Sequence, residues 1–126
     1  MIVVGDAGPF IPLSDLHAAP PVELPKPRAS DVAFFQLSGG STGAPKLIPR
    51  THDDYFYNFE IAADVSAIDA ESVYLVALPI SHNFPLGSPG AFGTLSRGGR
   101  VVLALSPNPE TAFPVIERER VTVTAQ

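Results

Sequence analysis

Short apolar runs alternate with helix-like segments along the second half of the chain. Three runs rich in apolar and β-branched residues, at positions 73–78, 100–105 and 121–125, predict strands. The segments between them are long enough for helices, and parallel strands need a crossover of that length. This alternation predicts an α/β fold with a layered, mostly parallel sheet and flanking helices. Functional side chains in such folds gather at the carboxyl ends of the strands.

A loop that contains Pro79 and Pro85 is predicted after the strand at 73–78. Pro89 can then open a short helix over Gly90–Leu95, which Gly98 and Gly99 end.

Two longer helices are predicted from capping and turn signals. Thr51 is a good N-cap for a helix over residues 52–65, in which aromatic and alanine side chains recur at helical spacing and are expected to face the core. Pro109 can open a second helix that reaches about Arg118. Pro114 lies inside that helix and is expected to kink or break it, because proline removes one backbone donor.

The first part of the chain is organised differently. Residues 1–30 form a Pro-rich lead-in that is expected to run extended. Residues 32–37 predict a buried strand, and the next apolar run contains Pro49, which restricts it to an edge or bulged strand. Strand-like residues lie at both ends of the chain, so we expect it to be a piece of a larger protein, with residues 31–126 forming a partial domain.

Charge and composition disfavour several functional classes. The chain has 13 acidic and 8 basic residues and a net charge of −5, which disfavours binding to a nucleic-acid backbone. It contains no cysteine, which excludes a disulfide framework, a thiolate nucleophile and a cysteine-based zinc site. No apolar run approaches the roughly 18 residues of a membrane span, and no His, Asp and Glu set has metal-ligand spacing. These observations predict a cytoplasmic protein that binds neither nucleic acid nor membrane.

A glycine-rich loop from Ser38 to Lys46 follows the strand predicted at residues 32–37. Its nine residues contain three hydroxyl side chains, three glycines and one cation. Glycines let backbone N–H groups approach an anion, hydroxyls donate to phosphate oxygens, and the lysine supplies a positive charge. This set favours a polyphosphate ligand.

Other interpretations of the loop fit its sequence less well. The P-loop pattern does not fit, because Pro45 stands where its lysine belongs. Residues 39–43 match G-x-S-x-G, the nucleophile elbow of serine hydrolases, and Asp64 or Asp69 followed by His82 would supply the order of a triad. That elbow requires a helix directly after its serine, which the following residues do not favour. An ordinary flexible Gly/Ser turn would not require the lysine or the hydroxyls.

The loop and three later motifs carry a family resemblance. Residues 37–46, L-S-G-G-S-T-G-A-P-K, resemble the phosphate-binding signature of adenylate-forming enzymes, the superfamily of acyl-CoA synthetases, luciferases and peptide-synthetase adenylation domains. The motifs at 48–55, 77–86 and 88–90 are similar to those of aryl-acid AMP ligases, which start siderophore biosynthesis. The pattern fits the 2,3-dihydroxybenzoate-AMP ligases best. It covers residues 31–126 and would lie within the N-terminal domain of such an enzyme.

The resemblance implies a two-step reaction. An aryl carboxylate, 2,3-dihydroxybenzoate or salicylate, attacks the α-phosphate of ATP to give aryl-AMP and pyrophosphate. The aryl group then passes to the phosphopantetheine thiol of an aryl carrier protein. Magnesium would arrive with the ATP. The resemblance also implies that one set of loop residues holds the β- and γ-phosphates: Ser38, Gly39, Gly40, Ser41, Thr42, Gly43 and Lys46.

The resemblance further implies which residues line the acid pocket. His82 would act as a catalytic and substrate-binding residue near the carboxylate and the α-phosphate. Asn83 would hydrogen-bond the carboxylate or the 2-hydroxyl, and Phe84 would form part of an aromatic wall. Ser88 matches a position that is typically serine in dihydroxybenzoate enzymes and cysteine in salicylate enzymes. Its hydroxyl can pair with a 3-hydroxyl, which favours 2,3-dihydroxybenzoate.

Later parts of the family pattern are absent from this sequence. They carry the adenine-facing aromatic, the Mg²⁺-linked glutamate, the ribose-binding aspartate and the small C-terminal domain with its catalytic lysine. Without a ribose clamp or a water-excluding lid, we expect the chain alone to be catalytically inactive. The alternative from a different class is a non-catalytic nucleotide-binding or interaction module.

Overall fold

The computed structural model describes residues 2–38, 43 and 45–125. It contains seven strands among these residues: β1 Ile2–Val3, β2 Ile11–Pro12, β3 Val32–Leu37, β4 Leu47–Thr51, β5 Val73–Val76, β6 Arg100–Leu103 and β7 Val123–Thr124. The same residues form five helices: α1 Leu13–Ala18, α2 His52–Val65, α3 Asn83–Gly87, α4 Gly90–Ser96 and α5 Pro109–Glu119.

A parallel three-stranded sheet forms the centre of the fold. Its strand order is β6-β5-β7, so β5 pairs with a neighbour on each side. Side chains alternate along β5: Tyr74 packs with Ala91 of α4 on one face, and Leu75 packs with Ala112 of α5 on the other. Each face therefore has its own apolar cluster and its own helix, which confirms the predicted α/β fold with a mostly parallel sheet and flanking helices.

The strand before the glycine-rich loop does not belong to that sheet. β3 pairs antiparallel with β4 in a separate two-stranded hairpin, with a register shift between Val32 and Phe34. Phe35 and Leu37 are 57% and 68% exposed, so the prediction of a buried strand at 32–37 is wrong. The reason is that a two-stranded sheet covers only one of its faces here, the one that carries the less exposed Phe34 and Gln36.

Helix α2 begins and ends where its sequence signals predict. Thr51 is the N-cap, and its hydroxyl oxygen accepts a hydrogen bond from the Asp54 N–H. Tyr55 and Ala63 are buried on the face of α2 that packs toward α4. Phe56, which was expected in the same core stripe, is 57% exposed instead.

We expect Thr51→Ala to lower the free energy of unfolding by about 1 kcal/mol, the usual cost of losing an N-cap. The Thr51 hydroxyl also donates to the Asp53 carboxylate, and this bond lowers the pKa of Asp53 below its ordinary 3.8. That part of the stabilisation is present above pH 3.8 and is lost as the pH falls through the lowered value. Urea unfolding of Thr51→Ala and Thr51→Ser will test this, and the serine variant should keep most of the stability.

Three segments differ from the sequence-based expectations. The lead-in is mostly extended, but it contains the short helix α1. α3 lies inside a segment that was expected to be a loop. α5 continues through Pro114 without breaking. The exposed side of α5 carries Pro114, while Ala112 and Ile116 on the same helix pack on the sheet and hold it in place.

No helix in the described part of the chain is both long enough and apolar enough to cross a membrane.

Candidate functional site

The segment after β5 carries the residues predicted to bind the acid. It runs from the carboxyl end of the central strand into α3, where ligands commonly bind in parallel sheets. His82 is the N-cap residue of α3, and its side chain is exposed. Phe84, on the first turn, is 46% exposed. Asn83 and Ser88 are half-buried at opposite ends of this short helix.

The structure brings Asn83 and Ser88 into direct contact. Asn83 Nδ2 donates a hydrogen bond to Ser88 Oγ at 3.2 Å. On its other side, the Asn83 Oδ1 atom accepts from Gln36 Nε2 of β3 at 3.0 Å. Gln36 Oε1 in turn accepts from Arg50 Nη1 of β4 at 3.1 Å. A continuous series of hydrogen bonds therefore connects the β3–β4 hairpin to the end of α3.

Arg50 is anchored from two directions. Its guanidinium pairs with the carboxylate of Asp54 in the first turn of α2, and it lies over the Tyr55 ring, 4.7 Å from the ring centroid. Only 16% of the Arg50 side chain is exposed. Burial raises the pKa of the Tyr55 phenol, and the Arg50 charge partly opposes that shift. The phenol is therefore neutral at physiological pH, which suits a ring that faces a guanidinium.

The position of α3 is fixed by contacts with α2. Asn58 Nδ2 donates to the Gly87 carbonyl oxygen at 2.7 Å. Gly87 also lies directly against Tyr55, because a Cβ atom at Gly87 would be 2.5 Å from the phenolic oxygen. Pro85 of α3 is fully buried. These contacts hold the helix that carries Asn83 against the N-terminal half of α2.

The described ends of the glycine-rich loop are joined to each other. The Ser38 N–H donates to the Lys46 carbonyl, and the Lys46 N–H donates to Ser38 Oγ, both at 2.9 Å. Lys46 and Gly43 are exposed. The loop thus connects the two strands of an antiparallel hairpin that is separate from the parallel sheet. The other residues predicted to hold phosphate lie outside the described residues: Gly39, Gly40, Ser41 and Thr42.

The described part of the loop carries one exposed cation, Lys46. Among the described residues, no carboxylate pairs with Lys46, so its ammonium group is available to an anion at the mouth of the hairpin. The described residues contain no group of three or more His, Cys, Asp or Glu side chains that could hold a metal ion.

The serine-hydrolase interpretation does not agree with the structure. A nucleophile elbow passes directly into a helix, whereas strand β4 follows the loop from Leu47 onward. The two candidate acids have other partners: Asp64 pairs with Arg97 at 2.7 Å, and Asp69 accepts a hydrogen bond from Ser72 at 2.7 Å. The proposed nucleophile, Ser41, lies outside the described residues.

A separate apolar groove of about 870 Å³ lies between the hairpin, α2 and α4. Phe34, Tyr55, Phe59 and Phe92 form much of its wall, and their rings meet edge to face. None of the residues predicted to bind phosphate or acid lines it. The groove is therefore separate from the Asn83–Ser88 site.

Sequence reasoning did not assign a function to Gln36 or Arg50. Gln36 was included in an apolar strand, and Arg50 was noted only as part of a motif. A signal was present, because Gln36 is a single amide on an otherwise apolar strand and shares its face with Phe34. Its contact with Asn83, 47 positions later, depends on tertiary structure that this local signal does not define.

Comparison with known proteins agrees with the resemblance found in the motifs. A family model described as AMP-binding enzyme matches residues 2–126. The chain is 61% identical over 125 residues to the 2,3-dihydroxybenzoate-AMP ligase of Bacillus subtilis strain 168. It is 48% identical over 127 residues to the salicyl-AMP ligase / salicyl-S-ArCP synthetase of Mycobacterium tuberculosis. Each alignment covers 99% of this chain.

A solved structure shares the fold. The apo structure of MbtA from Mycobacterium smegmatis superposes with a TM-score of 0.94 at 46% identity and covers 99% of this chain. The chain spans 23% of the length of the Bacillus protein, 22% of the Mycobacterium tuberculosis protein and 24% of the MbtA chain. The similarity therefore concerns about a quarter of each of these proteins.

Proposed function

This chain belongs to the AMP-binding enzyme family, and from that premise we propose that it supplies the phosphate loop and part of the acid pocket of an aryl-acid AMP ligase. The proposed acid is 2,3-dihydroxybenzoate or salicylate. The names of two relatives, a 2,3-dihydroxybenzoate-AMP ligase and a salicyl-AMP ligase, support both acids. Siderophore biosynthesis is the proposed context, which is supported by similarity to a vibriobactin-specific 2,3-dihydroxybenzoate-AMP ligase of Vibrio cholerae at 47% identity.

In the proposed first step, a carboxylate oxygen of the acid bonds to the α-phosphorus of ATP. The bond between that phosphorus and the oxygen bridging to the β-phosphate breaks, and pyrophosphate leaves with the electron pair. Negative charge builds on the leaving phosphates, so an exposed cation and backbone donors beside them lower the barrier. Three described residues are proposed for this role, namely Ser38, Gly43 and Lys46. The four loop residues between Ser38 and Gly43 are proposed to act with them.

The acid would be held at the other end of the same site. Asn83 and Ser88 present polar side chains at the carboxyl end of β5, and Phe84 would contact the aromatic ring. His82, whose side chain is exposed at the start of α3, is proposed to act near the carboxylate and the α-phosphate. Holding the acid and the nucleotide together turns a reaction between two molecules into one within a complex.

In the proposed second step, the thiol of a phosphopantetheine group attacks the carbonyl carbon of the aryl-AMP. The bond between that carbon and the phosphate oxygen breaks, so AMP leaves and a thioester forms. An aryl carrier protein is the proposed partner. The name of the Mycobacterium tuberculosis relative, a salicyl-S-ArCP synthetase, supports that partner.

The contact between Asn83 and Ser88 is the structural observation that best supports this proposal, apart from family membership. The hydrogen bond between Asn83 and Ser88 joins two of the residues that the motif assigned to the acid pocket, and it does so at the end of the central strand. Both side chains are half-buried, which suits contact with a ligand of which one edge is polar.

A segment exchange tests the proposed function. Residues 1–126 would replace the matching segment of the Bacillus subtilis 2,3-dihydroxybenzoate-AMP ligase, and ATP–pyrophosphate exchange would be measured with 2,3-dihydroxybenzoate and with salicylate. We expect exchange that depends on the acid, with preference for 2,3-dihydroxybenzoate because Ser88 can pair with the 3-hydroxyl. The 126-residue chain alone is expected to show none.

The outcomes separate the alternatives. Absence of exchange in a folded hybrid that still binds ATP would contradict the ligase function and favour a non-catalytic nucleotide-binding module. Exchange with salicylate alone would contradict the role given to Ser88. Exchange by the 126-residue chain itself would show that the missing family segments are not needed.

A further inference from the structure

In the hydrogen-bonded series from Arg50 to Ser88, each residue donates to the next one. We propose that Arg50 and Gln36 are positioning residues that orient the Asn83 amide, so that Asn83 and Ser88 both present hydrogen-bond donors to the ligand. The identity of that ligand as an aryl acid rests on the proposed function. The orientation of the side chains does not, because it follows from the contacts within the chain.

The direction starts at the guanidinium, which can donate hydrogen bonds but cannot accept them. Arg50 Nη1 therefore requires an oxygen from Gln36, and Gln36 Oε1 lies 3.1 Å away. With its oxygen held there, Gln36 turns its NH₂ group toward Asn83. Asn83 must accept this hydrogen bond with its Oδ1 atom, so its own NH₂ group lies on the side of Ser88. One cation thus fixes two amides in sequence.

The anchor of the series is well held. Arg50 is mostly buried, pairs with the Asp54 carboxylate and lies over the Tyr55 ring. Tyr55 is 3% exposed and is surrounded by aromatic rings, including Phe34 at 4.6 Å between centroids. A guanidinium that is already held by Asp54 and by the Tyr55 ring loses little further freedom when it donates to Gln36. The direction of the amides is therefore set before any ligand arrives.

The end of the series determines which ligand atoms fit. Asn83 uses one N–H on Ser88 and, among the described residues, has no acceptor for the second. Ser88 Oγ accepts from Asn83, so its own O–H is available to donate. A ligand that offers acceptor oxygens to both donors is favoured. The carboxylate of an aryl acid and the oxygen of a hydroxyl on its ring are such a pair.

Gln36→Glu reverses this arrangement with little change in shape. The new carboxylate would pair with Arg50 through one oxygen, but it has no proton to donate to Asn83. The Asn83 amide must then turn its NH₂ group toward position 36 and its oxygen toward Ser88. The Ser88 hydroxyl then has to donate its hydrogen bond to the Asn83 oxygen. Both donors are lost to the ligand, while the number of hydrogen bonds in the series stays the same.

Nuclear magnetic resonance of the 126-residue chain can observe the reversal. The sequence contains only five side-chain amides, those of Gln36, Gln126, Asn58, Asn83 and Asn108. In the unchanged chain we expect nuclear Overhauser contacts from the Asn83 NH₂ protons to the Ser88 β-protons. In Gln36→Glu these contacts should move to the γ-protons of the new glutamate. In the hybrid ligase that contains this chain, Gln36→Glu should lower the affinity for salicylate, followed by salicylate fluorescence, at least tenfold.

Asn108→Asp is the matched control, because it adds the same charge at an exposed position of the chain. It should leave both the Asn83 contacts and the salicylate affinity unchanged. Arg50→Gln is a second variant, which removes the obligatory donor without adding a charge. In that variant the Asn83 amide should contact Ser88 and Gln36 in mixed populations, because nothing fixes either amide.

The readouts distinguish this inference from the proposed function. If the Asn83 contacts move as expected but neither the unchanged hybrid ligase nor its Gln36→Glu variant binds salicylate, the orientation is supported and the aryl-acid function is contradicted. If folded Gln36→Glu keeps the Asn83–Ser88 contacts, or if its hybrid ligase binds salicylate as tightly as the unchanged hybrid does, the positioning role is overturned. Absence of those contacts in the unchanged chain would overturn it as well. If Gln36→Glu does not fold, fixed Asn83–Ser88 contacts in Arg50→Gln would overturn it.

Discussion

Gly90→Ala is expected to lower the free energy of unfolding by about 3 kcal/mol or more, through two costs that add. Gly90 has φ of +55°, and an alanine pays about 1 kcal/mol to adopt that left-handed backbone. A Cβ atom there would also lie 2.5 Å from the Pro85 carbonyl oxygen and 2.6 Å from its carbon. Because these are backbone atoms of α3, relief requires α3 and α4 to separate, which costs about 2 kcal/mol more.

Gly98→Ala is the matched control for this prediction. Gly98 also has a positive φ, +81°, but a Cβ atom at that position would meet only the Ala70 side chain at 3.7 Å, an ordinary contact. Its expected cost is about 1 kcal/mol, from the backbone alone. Urea unfolding followed by far-ultraviolet circular dichroism measures both variants. Equal losses for the two variants would contradict the contact between Gly90 and Pro85.

The segment just before Gly90, which contains α3, also shows where sequence reasoning was incomplete. The order of strands and helices after residue 72 and the bounds of α2 followed from periodicity and from Thr51, which are local signals. α3 was missed because three prolines at 79, 85 and 89 indicated a loop. Pro85 is the third residue of α3, in the first turn, where a helix needs no backbone donor.

The errors elsewhere have a common cause, which is packing between distant elements. Pro114 does not break α5, because burial of Ala112 and contacts of its neighbours with the sheet hold the helix. The position of β3 was predicted correctly, but its exposure was not, since an apolar run does not show how many faces of the sheet other elements will cover. The site followed the same pattern. Asn83 and Ser88 were found through their motif, whereas Gln36 and Arg50 required knowledge of which strand faces α3.

The largest effect on activity is expected from Asn83→Asp, measured in the hybrid ligase that contains this chain. Gln36 would still donate to one oxygen of the new carboxylate, and Ser88 would have to donate to the other. The substrate carboxylate would then meet a negative charge and lose two donors. Repulsion between unit charges at about 4 Å is on the order of 4 kcal/mol near a protein surface. A loss of about 3 kcal/mol in transition-state binding corresponds to a decrease of about a hundredfold in kcat/KM for the acid.

Two features make this result specific to the site. Asn108→Asp makes the same chemical change at an exposed position and should retain full activity. The defect of Asn83→Asp should also shrink as the pH falls toward the ordinary carboxyl pKa of about 4, because the introduced side chain, once protonated, is neutral and can donate again. KM for ATP should change little, since the loop from Ser38 to Lys46 lies on the β3–β4 hairpin. A variant with kcat/KM within about threefold of the unchanged hybrid, less than 1 kcal/mol, would show that Asn83 does not face the acid, and the acid pocket would then have to lie elsewhere.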